Sequence, residues 1–215
     1  MHPPTITPTM DPMSLVEAAR PIFSNGGLIV YPTETFYGLG TSAMSEKAVT
    51  ALMSAKGRDS HKPIPIIAAE RSAVEAIATI PLALVRLADA FWPGPLTLAV
   101  TPLMEFPAAI AAGSSTIGVR VSSDPLARAL AEAAGGFLTA TSANPSGRPP
   151  VNDVHKLDPT LVNHVSLIID TGFTPGGKPS TVVMERNGRI AVVRTGAISV
   201  AQLSAVLGYE PTVVG

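Results

Sequence analysis

The chain of 215 residues contains no cysteine, which removes disulfides, thiolate metal sites and thiol nucleophiles from consideration and fits a reducing compartment. Charged residues are scarce at 14%, and aromatics at 5%. Such a composition, with 46% hydrophobic residues, excludes a disordered or coiled-coil protein and supplies the material for a buried sheet. Neither sign of charge prevails: 15 Lys and Arg face 16 Asp and Glu, so no general field draws nucleic acid or anionic membrane, and any anion site must be local. Long hydrophobic runs are missing too, because Pro, Gly or a charge interrupts every stretch before the roughly 20 residues a bilayer span needs. A soluble, cytoplasmic protein is expected. Its opening MHPPTITPTMDPM has no basic and apolar leader pattern and reads as a loose arm.

What is present alternates between helical and extended patterns. Ser14 and Glu17 form a capping box ahead of a first helix that Pro21 should shorten or kink, and GLIVYP follows as a buried strand. Ser45 caps EKAVTALMSAK, with Val49, Leu52 and Met53 at helical spacing and Gly57 as the stop. PIPIIAA, LTLAVT, TIGVRV and FLTAT read as strands, separated by helices SAVEAIA, PLALVRLADAFW and PLARALAEAA, the last opened by Asp124 and Pro125. A short helix near NDVHKL, strands SLIIDTG, STVVME and RIAVVRTG with a hairpin at Asn187-Gly188, and a Ser199/Gln202 capping box complete the pattern. The expectation is one α/β domain over 14–207, a twisted open mixed sheet with helices on its faces, between an arm at 1–13 and a tail at 208–215.

Several familiar sites fail on inspection. Gly172, Gly177 and Lys178 match G-x-x-x-x-G-K, but Pro179 stands where a phosphate loop needs Ser or Thr, and a strand follows where a helix is required. This segment reads as a glycine-rich turn. No dinucleotide fingerprint and no nucleophile elbow occurs, and His2, His61, His155 and His164 lack zinc spacing, so no metal site is expected. What remains is a set of cations and hydroxyls at element ends: Lys56 and Arg58, Arg120, Ser142 with Asn144, Ser180 with Thr181, and Arg194. Strand ends line the ligand crevice of open α/β sheets, where clustered cations suit a triphosphate or a carboxylate. The plainer alternatives are dipole-compensating cations at helix ends and, for S-x-N before Pro145, an ordinary turn.

Taken together, GLIVYPTETFYGLG, KGRDSHKP, WPGPLTL, VRV, TSANPSG, STVV and VVRTGAIS resemble the YrdC family of threonylcarbamoyl-adenylate synthases, in its short single-domain bacterial form. The resemblance implies conversion of L-threonine, bicarbonate and ATP, with Mg2+ accompanying the nucleotide, to threonylcarbamoyl-AMP and pyrophosphate. The product would pass to the tRNA threonylcarbamoyl transferase complex for N6-threonylcarbamoyladenosine formation.

Carried over by position, Thr35, Arg120 and Ser180 would contact threonine. Arg58, Lys62, Thr116, Ser142, Asn144 and Arg194 would contact the nucleotide, and Lys56 with Arg58 would form the catalytic cation pair, Lys56 serving bicarbonate, carbamate or pyrophosphate charge. The chain departs from the family at Lys62, Ile67 and Pro150, where many members carry Asn, His and Ser. Contact with tRNA or double-stranded RNA is among the partners considered, and two alternatives stand beside this reading: a non-catalytic double-stranded RNA-binding or ribosome-associated module, and a YciO-type paralogue with another activity.

Overall fold

The computed structural model describes residues 5–6, 11–57, 59 and 61–214. In chain order the strands and helices are β1 (Thr5–Ile6), α1 (Pro12–Ser24), β2 (Ile29–Tyr31), β3 (Gly38–Gly40), α2 (Glu46–Lys56), β4 (Ile66–Ala68), α3 (Arg71–Ile77), β5 (Ala78–Thr79), α4 (Leu82–Phe91), β6 (Leu96–Pro102), α5 (Ala108–Ala111), β7 (Ile117–Val121), α6 (Pro125–Ala133), β8 (Phe137–Thr139), β9 (Thr141–Ser142), α7 (Pro159–Val162), β10 (Leu167–Ile169), β11 (Thr181–Arg186), β12 (Arg189–Arg194), α8 (Val200–Leu207) and β13 (Thr212–Val213). The short helix expected near NDVHKL is a single 3-10 turn, Val154–Lys156, capped by the Asp153 side chain.

The mixed α/β fold is as the sequence predicts, but the strands divide into two sheets. Five form the order β1-β10-β2-β3-β9, and β13-β12-β11-β6-β7-β4-β8 form the other, with β5 paired to β6 off that path. Two apolar clusters follow. Helices α1 and α6 close one over Ile29, Tyr31, Ile67, Leu138 and Leu167, all at 1% exposure or less. The larger cluster, including Leu39, Leu52, Leu84, Leu98 and Val119, lies between the sheets and under α2, α4 and α8.

Local signals explain most helix ends. Ser45 accepts from the Ala48 amide at the start of α2, and Gly57 ends that helix in a left-handed conformation at φ 55°. Asp124 accepts from the Leu126 and Ala127 amides ahead of α6, and Ser199 and Gln202 make the reciprocal box at α8. The first helix is a correction: it starts at Pro12 rather than after Ser14, because Asp11 accepts from the Met13 and Ser14 amides and takes the capping role. It runs through Pro21, which sits on the exposed side and sacrifices one amide donor where water can satisfy the freed carbonyl. Thr5–Ile6 pairs in parallel with Ile168–Ile169, and Thr212–Val213 pairs in parallel with Ala191–Val192.

Candidate active site

The site forms where the two sheets approach each other. Strand β3 pairs with both β2 and β9, placing Gly38 opposite Tyr31 and Ser142. This needs glycine: a Cβ at Gly38 would come within 2.7 Å of the Tyr31 ring, so only a bare backbone lets the strands close over that aromatic floor. From the other sheet, β7 carries Arg120 beside Ile67 of β4. The β11–β12 hairpin, turning at Asn187-Gly188 with positive φ at both residues, brings Arg194 back opposite Val182 and next to Ser180.

Between these elements lies a cleft of about 180 Å³, whose lining includes Thr35, Arg120, Ser142, Ser180 and Arg194. Five residues drawn from five separate segments of the sequence therefore line one cleft. Thr33, Tyr37, Pro65, Thr141 and Pro150 complete much of the lining. The other sequence-predicted residues lie elsewhere. Asn144 is 7% exposed behind the cleft; its Nδ2 donates to the carbonyls of Pro145 and Arg148, and its Oδ1 has no partner among the described residues. Lys56 is 3% exposed, and its Nζ donates to the carbonyls of Ser142 (2.5 Å) and Asn144 (2.6 Å) instead of lining the cleft. Lys62 sits on an exposed turn. Thr116 precedes β7 and exchanges a hydroxyl contact of 3.0 Å with Ser114, at the end of the strand away from Arg120. Arg58 falls outside the described residues. Of the departures, Pro150 lines the cleft, whereas Ile67 is fully buried in the apolar cluster and does not.

The polar groups of the cleft are held by one another. Arg120 Nη1 pairs with Glu34 Oε1, and Ser122 Oγ donates to Glu34 Oε2, both contacts being short. Arg194 Nη2 donates to Ser180 Oγ and to its carbonyl, each at 2.9 Å, and Ser180 Oγ meets Thr97 Oγ1 at 2.9 Å. On the loop between β2 and β3, Thr33 Oγ1 lies 3.1 Å from Thr35 Oγ1 and donates to the Phe36 carbonyl. The glycine-rich turn at 171–178 is tied to this loop. Tyr37 Oη donates to Gly172 O (2.6 Å) and accepts from the Thr171 amide, while the Gly176 amide donates to Thr35 O (2.6 Å). Strand β11 follows, as the failed phosphate-loop match requires.

Burial raises the phenols of Tyr31 and Tyr37 above their ordinary range, so both serve as neutral hydrogen-bonding groups. Asp124 is also raised, first by desolvation and further by the nearby Glu34 carboxylate, against the capping bonds that lower it. Sequence reasoning missed Glu34 and Thr97. Each carried a legible signal: Glu34 is the one acid in PTETFYGLG, and Thr97 is the one polar residue in the otherwise apolar strand LTLAV.

Two arginines and a row of hydroxyls around a small cleft are the donor set that suits small anionic, hydroxyl-bearing ligands. Comparison with known proteins makes the class particular. The family Sua5_yciO_yrdC, described as Telomere recombination, matches residues 21–196, and the chain belongs to that family. Threonylcarbamoyl-AMP synthase of Pyrococcus abyssi is 34% identical over 204 residues, which are 93% of this chain and 60% of that relative. The chain thus spans somewhat under two thirds of its length. Among solved structures, P. abyssi Sua5 complexed with L-threonine superposes with a TM-score of 0.87 at 31% identity, covering 98% of this chain and 62% of that one. E. coli YciO superposes at 0.81 with 28% identity, covering 93% and 97%. Among the described residues no helix is long and apolar enough to cross a membrane.

Proposed function

We propose that the chain is a threonylcarbamoyl-AMP synthase. The observation that carries this reading is the convergence of Thr35, Arg120 and Ser180 with Ser142 and Arg194 on one cleft, since the first three are the positions expected to meet threonine and the last two to meet ATP. The family relationship, including a relative that holds L-threonine, supports it.

In the proposed reaction the threonine amine and CO2 derived from bicarbonate form a carbamate. A carbamate oxygen attacks the α-phosphorus of ATP, the bond from that phosphorus to its bridging oxygen breaks, and pyrophosphate leaves with Mg2+ accompanying the phosphates. Nothing in this sequence needs a covalent enzyme intermediate. The chain's task is to hold several anions together and stabilise charge as it moves onto phosphoryl oxygens, work for preplaced donors. Arg120, its fork steadied by Glu34, suits the threonine carboxylate; Arg194 suits the nucleotide. The labile product would be handed on in the cytoplasm to the tRNA threonylcarbamoyl transferase complex.

Pyrophosphate release by the purified chain, with and without L-threonine and bicarbonate, tests the reading. Release that needs both is the expected result, and a folded protein that releases none under any combination overturns it. A YciO-type activity is the second reading, favoured by coverage of nearly the whole of E. coli YciO and by Ile67 and Pro150.

A further inference from the structure

We propose that Lys56 is a positioning residue for the nucleotide-facing segment Ser142–Asn144 rather than a cation that touches substrate. The proposal rests on the reading of Ser142 and Asn144 as nucleotide contacts. Lys56 is the last residue of α2, and Gly57 turns the chain away in a left-handed conformation. The residue is 3% exposed, and its ammonium bonds two carbonyls two residues apart, Ser142 O and Asn144 O.

That spacing matters. The chain bends between those carbonyls, the Asn144 amide donating to Ser142 O at 2.9 Å, so one ammonium gripping both carbonyls fixes the geometry of that bend and of the side chains that project from it. The main chain of Lys56 holds the same loop, because its carbonyl accepts from the Ser146 amide at 2.8 Å. From the opposite side the Ala143 amide donates to Tyr37 O at 2.9 Å. The loop is thus clamped between the end of α2 and the loop leading into β3, and Ser142 is left lining the cleft.

A buried ammonium is costly unless its protons are bonded, and the Ser142 and Asn144 carbonyls supply two such bonds at the end of α2. Ser142 lines the cleft and Lys56 does not, so the ammonium stands behind the residue that faces the ligand.

The experiment uses the full chain and reads each substrate separately. KM values for ATP, bicarbonate and threonine are measured for wild type, Lys56→Met and Lys56→Arg, together with calorimetric binding of α,β-methylene-ATP and amide exchange over 142–146. Lys56→Met is expected to weaken analogue binding and raise the ATP KM about tenfold or more, as the loss of two buried bonds implies. Bicarbonate and threonine KM should stay within about twofold, and exchange at 142–146 should accelerate. A bicarbonate KM that rises while ATP is unaffected would show Lys56 to be an anion ligand and sink the proposal. So would unchanged analogue binding in a folded variant.

Should Lys56→Met fail to fold, Lys56→Arg decides. A planar guanidinium cannot reproduce a point donor between two carbonyls, so ATP KM alone should rise, and no change or a rise in bicarbonate KM alone overturns the assignment. Analogue binding does not depend on turnover, so absent threonine-dependent release in wild type would count against the synthase reading and leave this test standing. A wild type that fails to bind the analogue would overturn the nucleotide assignment and this proposal with it.

Discussion

The two sides of the cleft are built differently. Around the residues expected to meet threonine, Arg120 is paired with Glu34, Glu34 with Ser122, and Ser180 with Thr97 and with Arg194, a residue expected to meet the nucleotide. That wall is preorganised by the protein's own side chains. On the side expected to receive the nucleotide, the Lys56 ammonium and the Lys56 and Tyr37 carbonyls bond the main chain of the loop and fix it, and Asn144 Oδ1 is left buried without a partner among the described residues. The difference teaches where a substitution should propagate. Removing a member of the paired wall exposes its partner's charge, whereas removing a hydroxyl from the loop side costs little beyond that group's own contact.

The largest effect is expected at the paired wall. Arg120→Ala leaves the largely buried Glu34 carboxyl without its ion-pair partner, and should destabilise the fold by about 3–5 kcal/mol in urea titration besides abolishing threonine-dependent turnover. Stability close to wild type would mean that Glu34 is solvated and that the wall is not preorganised. Smaller is Ser142→Ala on the loop side, which should reduce kcat/KM for ATP by about 1–3 kcal/mol while leaving thermal stability nearly unchanged. A stability loss as large as that of Arg120→Ala would erase the contrast between the two sides.

The smallest is a pH effect at Asp124, next to the paired wall. Its raised pKa means the folded state holds the proton more tightly than the unfolded chain, so this group favours folding below the unfolded value near 3.8 and loses that contribution as pH rises through the folded pKa. Asp124→Asn keeps a good helix cap, and should therefore flatten this part of the stability curve and gain relative to wild type above that window. Parallel pH curves for the two proteins would remove desolvation as the cause.

How far the sequence reached can be judged element by element. The caps at Ser45, Asp124 and Ser199, the Asn187-Gly188 hairpin and the rejection of the phosphate loop were all legible, because each depends on residues within a few positions of one another. Asp11 was missed as a cap because Ser14 and Glu17 offered a competing local pattern, and only the chain's actual entry angle chooses between them. At the site, the motifs located Thr35, Arg120, Ser142, Ser180 and Arg194, all of which line the cleft. They did not distinguish a cation that faces the cleft from one that faces the protein, as Lys56 does, since helix spacing places a residue without saying which distant loop covers it.

By itself, the sequence determined the alternation of helices and strands, the glycine and proline punctuation, and the family to which the chain belongs, all properties carried by near neighbours and by motif order. The tertiary structure alone decided that the strands split into two sheets, that Glu34 meets Arg120 across 86 positions and that Lys56 meets the Ser142 carbonyl across the same interval. Partners so far apart in the chain are chosen by packing: burial of the apolar clusters brings the polar groups together, and the cost of leaving a buried charge unpaired selects the arrangement in which each finds a counterpart.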